Sequence, residues 1–402
     1  MNIWIFNHYA ITPDLPGGTR HYDLSKELVK RGHRVTIFAS DFVHYIYKYH
    51  RTTPSKKVVE ENVDGIQWVW IRTFPYAGNN QRRIANMIDF GWRVFWVAFR
   101  RRERPDIVIG SSPHLFTPLA AYLVARRFRV PFMMEVRDLW PQVFIDIGRL
   151  REQSIVTRLL RLLEKFLYER AKRIIILGTQ MQEKIAACGI SKDKISWIPN
   201  GTDLSRFKST ACDFSDGDEF KVMYIGAHGP TNALDTLIEA ASIIQKLGLS
   251  KIKFVLVGDG PEKQKLMGLS NQLGLSNVEF RNPVPKTKIP EVLSKADVLV
   301  ATYEVSFSSS GGSLNKLNDY MAVGKPVVLA VETAYNPVEK AKCGFTVPPR
   351  NSQALADAIM ELYEMSPEDR KIMGERGRQY VEEFHDVRRL ADKLEQMITG
   401  IA

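Results

Sequence analysis

Cysteine is nearly absent: Cys188, Cys212 and Cys343 are the three in a chain of 402 residues, far apart and in no CxxC pairing. That excludes a disulfide framework and a cysteine zinc site, and makes the reducing cytosol the default compartment. Long hydrophobic runs are missing too. A bilayer span takes about 20 mostly apolar residues, and the stretch of 16 from Ile84 to Phe99 is interrupted by Asp89 and Arg93. The opening MNIWIF carries no basic segment and is too short an apolar run for a secretory signal, so it reads as a first strand. Neither a low-complexity tract nor a repeat of roughly 20–50 residues occurs, which excludes solenoids and disordered arrays.

What is present is ordinary globular usage, 45% hydrophobic and 25% charged, in a chain long enough for two domains. Apolar runs alternate with helical-period segments: IWIF, RHYDLSKELVKRG, VTIFA, then DIVIG, PLAAYLVARRF, PFMMEV, and RIIIL before QMQEKIAACG. Such βα alternation predicts a parallel, doubly wound sheet. After PNGTD at 199–203, residues 208–219 are polar and read as a linker, and a second βα series restarts at FKVMYIG. The expected architecture is two Rossmann-like α/β domains facing a cleft, residues 1–205 and 206–383, with a closing helix at 384–402 that packs back on the first. Ligands of such sheets sit at the carboxyl ends of the strands. Helices are expected from Pro261, over 314–323, over 352–364 and over 367–399.

Charge is unevenly spread. Residues 1–200 hold 32 Lys+Arg against 18 Asp+Glu, hence +14, and residues 201–402 hold 24 against 27, hence −3. A basic half suits nucleic acid, an anionic membrane or a phosphorylated substrate.

Three stretches carry candidate chemistry. In HYAITPDLPGGTRHYDL, Gly17 and Gly18 free backbone N–H groups at a helix start, where a diphosphate oxygen could bind, and Arg20 adds charge; a plain turn and cap fits equally. In VGDGPEKQKL, Gly258 and Gly260 form a tight turn, since Lys263 breaks a dinucleotide fingerprint. In GGSLNKLNDYMAVGKPVV, Ser313 caps a helix on which Asn315, Lys316 and Asp319 lie near the N-terminal end. A lysine there suits a diphosphate and a carboxylate one turn on suits ribose hydroxyls; an exposed ion pair of little consequence is the alternative.

These stretches, with EVRDLWP at 135–141, IPNGTD at 198–203, YIGAHGP at 224–230 and ADVLVAT at 296–302, resemble the GT-B family-4 glycosyltransferases over about residues 1–385. The DLWP and SLNKLNDYMAVGKP forms are similar to the O-antigen and capsule branch of WbuB-type N-acetyl-L-fucosamine transferases. The resemblance implies retaining, metal-independent transfer from a UDP-sugar bound mainly on the second domain, with no separate cofactor. By it Asp319 takes the ribose, Lys316 the diphosphate, Gly17 and Gly18 approach the donor, Gly258 lines the cleft, and the loop Asn282–Val284, with Pro283 and Val284, lies near the base. The chain departs from the family where Gly311 replaces an acid, where Asp319 shortens the second acid, and where His228 and Asn232 replace an Arg and a Lys. His228 would then assist Lys316.

Asp138, with Glu135 and Arg137, is expected to act on the acceptor hydroxyl, Arg137 pairing with it or holding an acceptor phosphate; a buried Asp–Arg pair is the alternative. Residues 79–104 hold five large aromatics and seven arginines. With Ile84, Ile88, Phe95 and Phe99 on the sheet, Phe90, Trp92, Trp96 and Val97 would face an anionic membrane. No nucleic-acid motif accompanies the charge. The expected function is transfer of a sugar, an N-acetylated deoxyhexose by the resemblance, to a polyprenyl-diphosphate-linked saccharide at the cytoplasmic face of the inner membrane. A sugar-nucleotide epimerase and a non-catalytic saccharide- or membrane-binding protein are the alternatives.

Overall fold

The computed structural model describes every residue except 16, 45–46, 79, 147, 208–218, 305–313, 334 and 402. The linker expected at 208–219, Gly311 and the Ser313 cap therefore fall almost wholly outside the described residues. The chain divides into two compact units: Met1–Thr12, Gly18–Pro199 and Val387–Ala402 form the first, and Pro13–Gly17 with Asn200–Asp386 the second.

In the first unit the strands are β1 (Asn2–Phe6), β2 (Arg34–Ser40), β3 (Phe42–Val43), β4 (Lys48–Tyr49), β5 (Val58–Val63), β6 (Ile66–Ile71), β7 (Ile107–Ser111), β8 (Phe132–Val136), β9 (Arg173–Ile176) and β10 (Ile195–Trp197). Its helices are α1 (Arg20–Lys30), α2 (Gln81–Phe99), α3 (Phe116–Phe128), α4 (Gln142–Asp146), α5 (Ile155–Arg170) and α6 (Gln180–Ala186). The main sheet runs β10-β9-β8-β7-β1-β2-β6-β5. Both faces are covered: Ile3 and Ile5 of β1 enter one core while Trp4 and Phe6 enter the other. That burial explains why the strand is apolar at every position.

The sheet is not all parallel, because β5 pairs antiparallel with β6. Asp64 and Gly65 join them with φ of 52° and 82°, the backbone of a two-residue hairpin turn whose twist suits adjacent strands. The Asp-Gly pair between two alternating runs was the signal for it.

The second unit holds β11 (Phe220–Ile225), β12 (Ile252–Val257), β13 (Val278–Arg281), β14 (Val298–Thr302), β15 (Val327–Ala330) and β16 (Gly344–Val347). Its helices are α7 (Leu234–Lys246), α8 (Lys263–Gln272), α9 (Ile289–Ser294), α10 (Asn315–Ala322), α11 (Pro337–Ala341), α12 (Ser352–Glu364) and α13 (Pro367–Phe384). The parallel order β13-β12-β11-β14-β15-β16 reverses direction between β11 and β14, as the first sheet does between β1 and β7. Ligands of open α/β sheets bind at such switch points, beyond the strands' carboxyl ends.

Three helix expectations change. Pro261 lies in a turn and α8 begins at Lys263. The segment 367–399 is two helices, α13 and α14 (Val387–Thr399), broken at His385–Asp386. Thr202 bridges to Asp386 there, and the His385 carbonyl accepts from the Thr202 N–H. α14 belongs to the first unit, where Leu390, Leu394 and Ile398 enter the α1 side of the core and Arg31 pairs with Asp392 at 2.7 Å. Finally, α2 is turned relative to expectation: Phe90 is buried with Met87, Val94 and Ala98, while Ile84 and Ile88 are exposed, and Trp92 is exposed as expected. The cause is Gly91, where a Cβ would come within 2.9 Å of Phe116 on α3. That close approach fixes which face turns inward.

Candidate functional site

At the second unit's switch point, the loop after β11 threads between neighbours. His228 donates its N–H to the Asp259 carbonyl at 2.8 Å, and its own carbonyl accepts from Glu262 at 2.9 Å. A Cβ on Gly260 would sit 2.4 Å from that carbonyl and one on Gly258 would sit 1.9 Å from the Gly226 carbonyl. With φ of 151° and 157°, Gly258 and Gly260 are glycine positions on both counts. The His228 ring is buried, and neither nitrogen has a partner among the described residues. Burial, then Lys263 nearby, lowers its pKa to about 4, so the ring is neutral. Lys263 is a tie between loops, donating to the carbonyls of Gly258 and Arg281.

Lys316 lies in the first turn of α10, its Nζ donating to Tyr224 Oη at 3.0 Å and to Asn232 Oδ1 at 2.6 Å. The Tyr224 and Tyr303 rings each stand 4.6 Å from the ammonium. None of these neighbours carries a negative charge, and burial lowers the lysine pKa to about 7. An anion beside it would restore the proton. One turn on, Asp319 is buried with both oxygens engaged: Thr202 Oγ1 donates to Oδ1 at 2.7 Å and Lys286 Nζ pairs with Oδ2. Asn315 is exposed at the start of the same helix. Pro283 and Val284 lie in the loop leading from β13 to Lys286, so the Asp319 ion pair tethers that loop. Thr202, Lys286, Tyr224 and Tyr303 were not singled out in the sequence; Thr202 sits inside the quoted PNGTD motif and Tyr224 opens the quoted YIGAHGP, while Lys286 and Tyr303 carry no local signature.

In the first unit, Glu135 at the end of β8 is buried and fully used. Arg20 Nε donates at 2.9 Å, His21 Nε2 lies at 2.9 Å and Ser111 Oγ donates at 2.7 Å. Burial would raise its pKa, but Arg20 and His21 outweigh this and hold the carboxylate well below its usual range. Arg20 also donates to the carbonyls of Pro199 and Ile198. In this arrangement Glu135 and Arg20 brace each other at the end of β8. Gly17, which groups with the second unit, has φ of 137°, a conformation for glycine, whereas a Cβ on Gly18 would meet nothing within 4 Å.

Asp138 behaves differently. The backbone of Arg137 is fixed by a 2.8 Å bond to Ser112 Oγ. No described residue hydrogen-bonds the Asp138 carboxylate, which is half-buried and forms no ion pair with Arg137. Burial raises its pKa, against the pull of Arg137 and Arg83. A half-buried carboxylate with raised pKa at a strand end is fitted to accept a proton.

Among the described residues, no helix is long and apolar enough to cross a membrane. The helical layer of α2, α3 and α5 nonetheless exposes apolar side chains: Ile84, Ile88 and Trp92 on α2, and Ile155, Val156, Leu159 and Leu162 on α5. Arg100, Arg102, Arg151, Arg158 and Lys165 are exposed around them. The α5 face was missed, though IVTRLLRLLEKF shows leucines interleaved with basic residues.

Comparison with known proteins divides the chain as the sheets do. Residues 17–201 match the model "Glycosyl transferase 4-like domain" and residues 205–380 match "Glycosyl transferases group 1". A protein of Escherichia coli (strain K12) named as a colanic acid biosynthesis glycosyl transferase, WcaI, is 21% identical over 80% of this chain and 81% of its own. Sucrose-phosphate synthase from Thermosynechococcus elongatus superposes with a TM-score of 0.74 at 19% identity, covering 99% of this chain and 98% of that one. Anabaena HepE, solved with UDP and glucose, gives 0.70 at 18%, covering 99% of both chains. At such identities the likeness to solved structures is one of fold.

Proposed function

The chain belongs to the GT-B glycosyltransferases, and from that premise we propose that it moves a sugar from a UDP-sugar to a saccharide carried on a polyprenyl diphosphate. The reading extends to retention at the anomeric carbon, no metal, and a place in O-antigen or capsule assembly at the cytoplasmic face of the inner membrane. An N-acetylated deoxyhexose is the first donor sugar to test. The observation that carries the reading is Lys316, whose pKa burial lowers to about 7 at a helix start, with a carboxylate one turn on. UDP in the HepE complex and the colanic acid assignment of WcaI support it.

The acceptor oxygen bonds the anomeric carbon as the bond to the diphosphate oxygen breaks. Lys316 offsets the charge on departing UDP, with the Gly17–Gly18 backbone and His228 alongside, and Asp138 accepts the acceptor's proton. Asp319 meets the ribose by sharing its oxygens with Thr202 and Lys286, while Gly258, Pro283, Val284 and Asn315 frame the nucleotide. A front-face route needs no protein nucleophile, and none is assigned. The test is calorimetry with UDP, followed by UDP release from UDP-sugars with and without a lipid-linked acceptor. Release only with acceptor fits the transferase. Release without it fits an epimerase, and binding without turnover fits an idle binder.

Membrane contact through α2 and α5 is part of the same proposal, supported by the apolar side chains ringed by arginine and lysine. Each basic residue near an anionic surface contributes about 1 kcal/mol, and apolar insertion is not screened by salt. Changing Trp92, Leu159 and Leu162 together to Ser is expected to abolish sedimentation with anionic liposomes at high salt. Equal sedimentation by variant and wild type would remove the membrane argument.

A further inference from the structure

At the first unit's switch point, three cationic or potentially cationic groups gather around Asp138. Arg83 comes from the first turn of α2, Arg137 from the end of β8, and His44 from the turn after β3. Tyr9, following β1, links them: its ring centroid is 5.1 Å from that of His44, and the Arg83 guanidinium carbon lies 5.9 Å from its own. Arg83 and Arg137 both act electrostatically on His44 and on Asp138, so the four share one region. The Glu135 charge also acts on Arg137, but it is shared with Arg20, which adds a further cation, and its oxygens are taken by Arg20, His21 and Ser111.

The Arg137 guanidinium has five N–H donors, yet among the described residues none of them finds a hydrogen-bond acceptor. Leaving a half-buried guanidinium unbonded is costly unless a ligand completes it. Two guanidinium groups against one carboxylate leave an excess of positive charge, to which His44 adds only when it is protonated. The planar forks of arginine match phosphate oxygens.

We propose that Arg83, Arg137 and His44 form a binding site for the phosphate or diphosphate of the acceptor, holding it beside Asp138. This rests on the reading that the acceptor is diphosphate-linked. It adds what the family likeness does not supply, the residues of the first unit that tell a charged acceptor from a neutral sugar. His8 and His114 stay outside the set. They hydrogen-bond each other at 2.8 Å, and burial lowers the pKa of both, that of His114 to about 3.

The test uses the full chain saturated with UDP, so that Lys316 is occupied, and titrates it with inorganic pyrophosphate while the His44 ring is followed by NMR. His44 faces Arg83, Arg137, His8 and Tyr9, and burial with the two arginines lowers its pKa to about 4. Pyrophosphate is expected to raise that value, and Arg83→Gln and Arg137→Gln to weaken pyrophosphate binding by about tenfold or more each, with Arg137→Lys intermediate. Glycerophosphoglycerol, a soluble lipid headgroup, is expected to bind at least about tenfold more weakly, as a single phosphodiester charge predicts. Wild-type pyrophosphate affinity in both Gln variants, no response of His44, or equal binding of the headgroup would each overturn the proposal. UDP affinity, read in the same samples, reports on the donor reading separately. If UDP does not bind, the same titration in Lys316→Ala protein decides the anion site alone.

Discussion

The two switch points use charge in opposite ways. In the second unit the two charged groups of α10 are already held by the protein: Asp319 by Thr202 and Lys286, Lys316 by Tyr224 and Asn232. In the first unit Asp138 and the Arg137 guanidinium have no hydrogen-bonding partner among the described residues, and the surrounding histidines are kept neutral. A preorganised set loses little entropy when a ligand arrives and suits a ligand that is the same at every turnover, such as a nucleotide. An unpaired set keeps its electrostatic strength for the reacting groups. The contrast teaches where binding and where chemistry should fail when residues are changed.

The sharpest way to break the comparison is Asp138→Asn. It keeps shape and removes the basic oxygen, so transfer is expected to fall by roughly 100-fold or more, as loss of a general base does, while UDP affinity stays at the wild-type value. Because burial lifts the Asp138 pKa above the ordinary aspartate value, the acid limb of the wild-type rate profile should also lie above it. Lower pH protonates the carboxylate and removes the base, so the rate falls as pH decreases through that limb. Initial rates across pH, with calorimetry on the same samples, check both parts. Normal transfer by the Asn variant would make Asp138 part of the scaffold and erase the contrast.

Next in size is Lys316→Ala. Loss of a charge-assisted hydrogen bond costs about 1.5–3 kcal/mol, or about 10- to 150-fold in UDP affinity. Asp319→Ala should weaken binding even of uridine, which lacks the diphosphate. Circular dichroism confirms the fold in each case. Unchanged UDP affinity in both variants would show that the internally paired set is structural and that the donor is held elsewhere.

Much of this was legible in the sequence, and the gaps have physical causes. The βα alternation located five of the six strands of the second sheet, β11 to β15, most of them buried and apolar throughout, while the half-buried edge strand β16 gave no such run; the lysine and aspartate of α10 share a helix turn by spacing alone. The pairing of Glu135 with Arg20 was not legible: it joins residues 115 apart in the chain, and no local pattern encodes it. The facing of α2 was misread because large apolar side chains occur on both its buried and its exposed side, Phe90 and Val94 on one and Ile84, Ile88 and Trp92 on the other. What settles it is the contact of Gly91 with Phe116, a property of two helices rather than one. The α5 surface was readable but overlooked beside the arginine-rich segment.

The smallest expected effect concerns the proton on Lys316. Burial lowers its pKa to about 7 in the free protein, and a bound diphosphate raises it again. UDP binding above pH 7 must therefore take up a proton, so affinity declines as pH rises beyond about 7, by at most about tenfold per unit, until the bound-state pKa is reached. Below pH 7 the lysine is already charged and contributes no further change, although the terminal phosphate of UDP, with a pKa near about 6, loses charge there and weakens binding in its turn. An affinity maximum between these two values is the expected outcome. Calorimetry at pH 8 in two buffers of different ionisation heat should register proton uptake on binding by the wild type and none through this group in Lys316→Ala. The asparagine at 138 should leave the uptake intact, because the proton belongs to the second unit. Proton uptake that follows Asp138 instead would place the diphosphate among the unpaired charges of the first unit.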